Sequence, residues 1–266
     1  MNKKILVFRF DFKRQKNLSF GHLFRVNKII SKLKKRKFEI YYLIKTQIKE
    51  KNYIDLNKKN LKQIGRNLFL KNKKFTKKID FLFIDLPYED NQIKFLNTQV
   101  NKTIIIEDHF NNYKIADYYF TNRKLNIKEH NKIPLNKNKI FHGHNYFINK
   151  EIYSIKKTRK KIKNIFINFG GSDPLNLTKK ILNEIDNFYF KNYNFYIVLG
   201  PGAKKISGTQ IKKNFIIFNN LSDQRLKRIR RNCDIAIISG GNILIENLFM
   251  GLPSIAYATS NYENKI

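Results

Sequence analysis

Short apolar runs of strand length, rich in Ile, Phe, Val and Tyr, recur along this chain with helix-period segments between them, and this alternation limits its fold more than any other feature. The first series reads KILVFRF (4–10), FEIYYLI (38–44), DFLFID (80–85) and KTIIIED (102–108). Continuous apolar runs suit strands buried on both faces, and parallel strands need crossover helices, so the pattern predicts strand–helix–strand units around a parallel sheet. The clearest crossover helix starts near Gly21. There Leu23, Val26, Ile30 and Leu33, with Ile29 beside them, share one face, while Lys28, Lys32, Lys35 and Arg36 fall elsewhere.

Past residue 130 the pattern loosens into a stretch holding Pro134, Gly143 and many charges, and a domain boundary is expected near 150–160. A second series follows: NIFINF (164–169), NFYIVL (194–199), NFIIF (214–218), DIAIIS (234–239) and PSIAYA (253–258), with helical patterns at 175–189, 222–232 and 242–250. The expected domains are therefore 1–150 and 151–266, both α/β. No sequence repeat links them; the same architecture is read twice.

With 266 residues and 42% hydrophobic content, the chain can fill one large core or two ordinary ones. Its 54 Lys and Arg against 20 Asp and Glu give a net charge of +34, which raises nucleic acid as a partner. The lysines are scattered and travel with Asn, Ile and Phe, all A/T-rich in their codons, so solvated surface charge is the favoured reading. The densest runs, KLKKRK (32–37) and KKTRKKIK (156–163), read as a helix end and a linker. No regular alternation of aromatic and basic residues marks a nucleic-acid surface, whereas an anionic small molecule would be attracted by the same field. Cys233 stands alone, which excludes an internal disulfide framework and a thiolate metal cluster and fits a reducing compartment. The N-terminal apolar run is broken by Arg9 and Asp11 and is too short for a signal-peptide core. No stretch approaches a membrane span of roughly 20 apolar residues, and a cytoplasmic location is expected.

Ligands of open parallel sheets sit outside the carboxyl ends of the strands. Glycine-bearing loops of the second series lie at such ends: NFGGSDP, LGPGAKK and the SGGN that opens a helix. Each lets backbone N–H groups approach an anion, and the last adds the positive end of a helix dipole, so together they favour a phosphate-bearing ligand. Glu246, about one helical turn beyond Gly241 and Asn242, could accept both hydroxyls of a ribose; an exposed helix charge is the competing reading. Neither P-loop nor GxGxxG spacing is present, which removes support for an ATP-driven kinase and a Rossmann dehydrogenase.

Read in order, RFD…SFGHLFR, FIDLPY, IIIEDHFNNYKIADYYFTN, GHNYFINKEIY, FINFGGSDP and SGGNILIENLFMGLPSIAYATSNYE resemble the UDP-2,4-diacetamido-2,4,6-trideoxy-β-L-altropyranose hydrolases of pseudaminic acid biosynthesis and related spore-coat polysaccharide proteins. The likeness spans nearly the whole chain. Its most specific parts are the Gly-His-x-x-Arg start (Gly21, His22, Arg25) and the C-terminal Gly-Gly…Glu…Gly-x-Pro segment, the latter shared with the wider glycosyltransferase-B class. The resemblance implies two Rossmann-like domains with the active site in a cleft between them, UDP held by the C-terminal domain and the sugar facing the N-terminal one.

It also implies roles. His22 matches the active-site histidine, Asp11 the acidic residue after the first strand, and Tyr88 the active-site tyrosine. Gly240 and Gly241 match the diphosphate loop, Glu246 the ribose-binding glutamate and Asn261 the asparagine after the last strand. Gly21, Arg25, Gly170, Gly171, Ser239 and Asn242 complete the expected substrate contacts. The implied reaction is hydrolysis with inversion at the anomeric carbon, water being the acceptor, with neither metal nor other cofactor; a UDP-sugar-dependent glycosyltransferase and a catalytically silent nucleotide-sugar binder are the alternatives. An imidazole, which titrates near pH 6.5 in general, can take a proton from water at neutral pH, and a helix N-terminus favours its neutral form. Asp11 is read either as orienting His22 or the sugar's amides, or as a turn cap. His142 and His144 stand too close together, with too few acidic companions, for a metal site, and His109 and His130 read as loop residues. Two departures lie near the sugar: Ser19 stands where the family has glycine, and Tyr88 is displaced by Pro87. The family pattern continues beyond NYENKI, so the second domain is expected to lack its C-terminal end.

Overall fold

The computed structural model describes residues 3–11, 21–33, 37–44, 61–63, 78–86, 90, 99–106, 115–148, 161–185, 187–206, 212–260 and 263–265. The chain divides into two compact units, the first closing at Ile148. Its elements are β1 (Lys4–Phe10), α1 (Gly21–Lys32), β2 (Phe38–Ile44), β3 (Leu61–Gln63), β4 (Ile79–Asp85), β5 (Val100–Ile106), β6 (Tyr118–Thr121), α2 (Ile127–Asn131) and β7 (Ile140–His142). They build a seven-stranded sheet ordered β3-β2-β1-β4-β5-β6-β7, and every pairing in it is parallel. Central β1 has Ile5 and Val7 on one face, packed with Leu43, Leu82, Ile84 and Ile105. On its other face Phe8 stacks on Phe83 at 4.5 Å and Phe10 meets Tyr42 edge-on. α1 buries Leu23, Val26 and Ile30, the stripe its period predicts, with Ile29 and Leu33 at its margin.

The second unit contains β8 (Asn164–Asn168), α3 (Leu177–Glu184), α4 (Asn187–Phe190), β9 (Asn194–Leu199), β10 (Phe215–Asn219), α5 (Asp223–Asn232), β11 (Ile235–Ser239), α6 (Asn242–Met250) and β12 (Ser254–Tyr257). Its five-stranded parallel sheet is ordered β10-β9-β8-β11-β12. One face carries Ile165, Ile167, Ile197 and Leu199 against Leu177 and Leu182 of α3. The other carries Phe166, Val198, Ala236 and Ile238 with Cys233 and Ile243. Cys233 is thus core filler, fully buried.

Two differences from the sequence reading have local causes. The helical pattern at 175–189 is not one helix: Ile185 leaves helical geometry (φ −72°, ψ 106°) and sinks into the core beside Ile181. β3, β6 and β7, absent from the sequence reading, are too short to show a period; stacking of Phe120 on Phe141 at 4.5 Å joins β6 to β7. Among the described residues no helix is long and apolar enough to cross a membrane.

Candidate functional site

Each sheet reverses its strand order beside its first strand, between β1 and β4 in the first unit and between β8 and β11 in the second. The carboxyl ends of such strands form the crevice where open α/β sheets take ligands. The expected site residues that the structure describes gather at these two places.

In the first unit, Asp85 ends β4 in register with Phe10 of β1. The first turn of α1 brings His22 and Arg25 to it, because residues three apart share a helix face. Arg25 grips the carboxylate with both arms of its fork, Nε donating to Oδ2 at 2.9 Å and Nη2 to Oδ1 at 2.7 Å. His22 Nδ1 lies 2.6 Å from Asp85 Oδ1 and 3.0 Å from Arg25 Nη2. A contact of 2.6 Å between nitrogen and a carboxylate oxygen requires a proton between them, so Nδ1 donates to Asp85, and in the neutral imidazole the lone pair is then on Nε2. Arg25 then bonds Asp85 rather than the imidazole. All three side chains are buried. Burial by itself would raise the Asp85 pKa, but the charge of Arg25, with the hydrogen bonds from His22 and Arg25, outweighs it and holds the carboxyl well below the usual carboxylate range.

Asp85 entered the sequence reading only as the end of DFLFID and within FIDLPY, with no role of its own. Its signal was an acidic residue closing an apolar run, where a buried charge needs a reason. Arg9, within β1, is another buried charge whose role was not foreseen. Its Nη2 donates to Asp11 Oδ2 at 2.7 Å, its Nε to Asp90 Oδ2 at 2.9 Å, and its Nη1 to the carbonyls of Phe10 and Leu43. Arg9 therefore ties the ends of β1 and β2 to Asp90. Asp11 belongs to this cluster, and the carboxylate on His22 is Asp85. Gly21 is the first residue of α1. Tyr88, Asn261, His109 and Ser19 lie outside the described residues.

In the second unit, the turn after β8 holds Gly170 and Gly171, and the turn after β11 holds Ser239, Gly240 and Gly241. The structure brings these turns together: a Cβ at Gly170 would stand 3.5 Å from Ser239 Oγ. Asn168 shapes the first turn by accepting the Gly170 N–H at 3.0 Å and donating to the Val198 carbonyl at 2.8 Å. Gly170 has φ 78°, which disfavours any side chain there. Gly200, in the loop after β9, packs directly on this turn. A Cβ on it would lie 2.5 Å from the Gly170 and Gly171 carbonyl oxygens and from the Gly171 Cα. Backbone cannot yield as a flexible side chain can, so Gly200→Ala is expected to cost about 1–3 kcal/mol or more of unfolding free energy, read by denaturant titration against Ala203→Gly as a control.

The helix ends beside these turns differ. Asp173 fills the start of α3, accepting the N–H groups of Leu177 at 2.8 Å and Thr178 at 3.0 Å. α6 starts at Asn242 behind Gly241, which has no side chain to cap it, and its first turn has no acidic residue. The Glu263 carboxylate, anchored on the N–H and hydroxyl of Thr259, faces Gly241, with Oε1 2.9 Å from where a Cβ would be. An anion at this turn would require that flexible side chain to swing aside.

Glu246, one turn along α6, is not the exposed helix charge that was its competing reading. Its Oε2 pairs with Arg230 Nη1 at 2.8 Å, and its side chain is 18% exposed. Burial pushes its pKa up; Arg230 pulls it back, and Asp223 adds to the rise. His142 is structural in its contacts: its Nδ1 accepts the Leu125 N–H at 3.2 Å, and burial, His130 and Lys124 all lower its pKa. Among the described residues no group of His, Cys, Asp and Glu has the arrangement of a metal site.

Two parallel sheets, each reversing order beside its first strand, give this chain an α/β fold like that of glycosyltransferase-B structures. Among solved structures, MurG of Acinetobacter baumannii superposes with a TM-score of 0.55 at 11% identity, covering 99% of this chain and 81% of that one. The UDP-GlcNAc 2-epimerase of Neisseria meningitidis, bound to UDP-GlcNAc, gives 0.56 at 10% identity, covering 98% and 85%. At such identities the likeness is one of fold. By sequence the chain is similar to uncharacterized protein MJ1062 of Methanocaldococcus jannaschii, 28% identical over 94% of this chain and 54% of that protein. It is similar also to the spore coat polysaccharide biosynthesis protein SpsG of Bacillus subtilis, 23% identical over 91% of this chain and 74% of that one. The chain thus spans about half the length of the archaeal relative. No protein-family model matches it.

Proposed function

We propose that this protein hydrolyses a UDP-linked 2,4-diacetamido-2,4,6-trideoxyhexose, releasing UDP and the free sugar for the assembly of a nonulosonic acid. The observation that carries the reading is the His22–Asp85 contact, which commits Nδ1 as donor and leaves Nε2 to take a proton. Water attacks the anomeric carbon as His22 Nε2 accepts its proton, and the bond from that carbon to the diphosphate oxygen breaks with inversion. UDP departs with the bonding electron pair, and the proton passes from His22 to solvent. A nucleoside diphosphate needs no acid to leave if donors meet its charge. The turns at Gly170–Gly171 and Ser239–Asn242, with the start of α6, are the proposed donors, and Glu246 the proposed ribose acceptor. Arg25 and Gly21 complete the sugar side, as do Tyr88, Asp11 and Asn261 by resemblance. Similarity to SpsG, named for polysaccharide biosynthesis, supports the pathway class, and the solved neighbour that carries UDP-GlcNAc supports the ligand class.

The test is incubation with UDP-2,4-diacetamido-2,4,6-trideoxy-β-L-altropyranose and no acceptor. UDP should appear with turnover, and in ¹⁸O-water the label should enter the sugar and not the UDP. Strict dependence on an added hydroxyl acceptor would make the protein a glycosyltransferase instead.

A further inference from the structure

Among the described residues Arg230 is the largest side chain buried almost completely, at 1% exposure, and it sits in α5 among several basic residues that face outward. Burying a guanidinium costs several kcal/mol unless a partner requires it. Its Nη1 lies 2.8 Å from Glu246 Oε2 and 3.2 Å from Asn247 Oδ1, while its Nε is buried without a partner. The guanidinium is therefore aimed at α6 at some expense to its own hydrogen bonding. Asn247, fully buried, passes the constraint on: its Nδ2 donates to Ser254 Oγ at 3.0 Å, and that hydroxyl donates to the Leu252 carbonyl. The network fixes the rotation of α6, and with it the direction of Glu246 relative to the Gly240–Gly241 turn.

We propose that Arg230 is the positioning residue for Glu246 and, through it, sets a preference for ribonucleotides over nucleotides lacking ribose hydroxyls. The inference rests on the reading of Glu246 as ribose acceptor. An ionised carboxylate accepts hydroxyl donors at both oxygens and more strongly, whereas protonation turns one oxygen into a donor. Three charged residues of α5 act on Glu246: Arg230 and Lys227 favour ionisation, whereas Asp223, like burial, opposes it. Removing Arg230 takes away a charge and a hydrogen bond that both favour the carboxylate, so Glu246 holds its proton to higher pH and the ribose contact weakens at low pH first.

The experiment is calorimetric titration of the full chain with UDP and with 2′,3′-dideoxy-UDP at pH 6 and pH 9. The wild type should bind UDP about tenfold or more tightly than the dideoxy compound at both pH values, as two hydrogen bonds to a charged acceptor imply. Arg230→Met should reduce that ratio to below about threefold at pH 6 and regain part of it at pH 9, whereas Arg230→Lys should keep it. If the methionine variant does not fold, Arg230→Gln, which can still bond Asn247, is measured with the same expectation. A ratio unchanged in the neutral variants, or equal weakening of both ligands, overturns the inference. A wild type that binds UDP without preferring ribose removes the role of Glu246, and one that binds no UDP overturns the proposed function itself.

Discussion

His22→Ala should lower kcat for UDP release by roughly 10²–10⁴, the range that positioned general bases contribute, with the Kd for UDP unchanged within about twofold. The split follows from where the residue stands. His22 belongs to the first unit, with its Nδ1 committed to Asp85, and it can act on the reaction only through Nε2. The proposed UDP contacts all belong to the second unit, which the substitution does not touch. A steady-state assay of UDP release together with UDP titration separates the outcomes. Loss of turnover with UDP affinity retained supports a proton acceptor. Full turnover would leave His22 as packing at the start of α1, and a parallel loss of UDP affinity would assign it to binding. The alanine also frees Asp85 Oδ1, but Arg25 still holds that carboxylate at both oxygens, so the variant should remain folded.

How far these sites could be read in advance depended on whether a residue's role was local. β1 and β2 match their predicted spans because a strand-length, mostly apolar run needs no partner to be recognised. The stripe of α1 and the glycine turns after β8 and β11 were legible for the same reason, each being a pattern within a few residues. Asp85 was not, since what distinguishes it from any turn aspartate is a helix some 60 positions earlier. Arg9 and Asp90, 81 positions apart, pose the same problem. Arg230 was hidden by its basic neighbours Arg225, Lys227, Arg228 and Arg231, although the helical period sets it between Leu226 and Cys233 on the apolar side. A charge on the wrong face of a predicted helix was the available signal.

Asp85→Asn is expected to damage both chemistry and stability, and the two losses can be taken apart. An amide offers one acceptor where Arg25 and His22 now share two carboxylate oxygens, and its NH₂ becomes a donor facing Nδ1. With Arg25 Nη2 already 3.0 Å from that nitrogen, two donors would draw the lone pair to Nδ1 and move the proton to Nε2. The wrong tautomer cannot accept from water, and an orienting carboxylate of this kind is worth up to about 10⁴ in kcat where it has been dissected. The same change strands a buried guanidinium, which costs about 3–5 kcal/mol of stability. Arg25→Met/Asp85→Leu removes both charges and should recover most of that stability without recovering turnover; restored turnover would show that Asp85 acts only through packing. Acid titration gives an independent reading. Asp85 has a folded-state pKa below its unfolded value near 4, so its contribution is complete above that value and is lost as pH falls toward the folded pKa. Unfolding free energy of the wild type should therefore decline below about pH 4, and the decline should be shallower in the double variant, which has no carboxyl at this position to titrate.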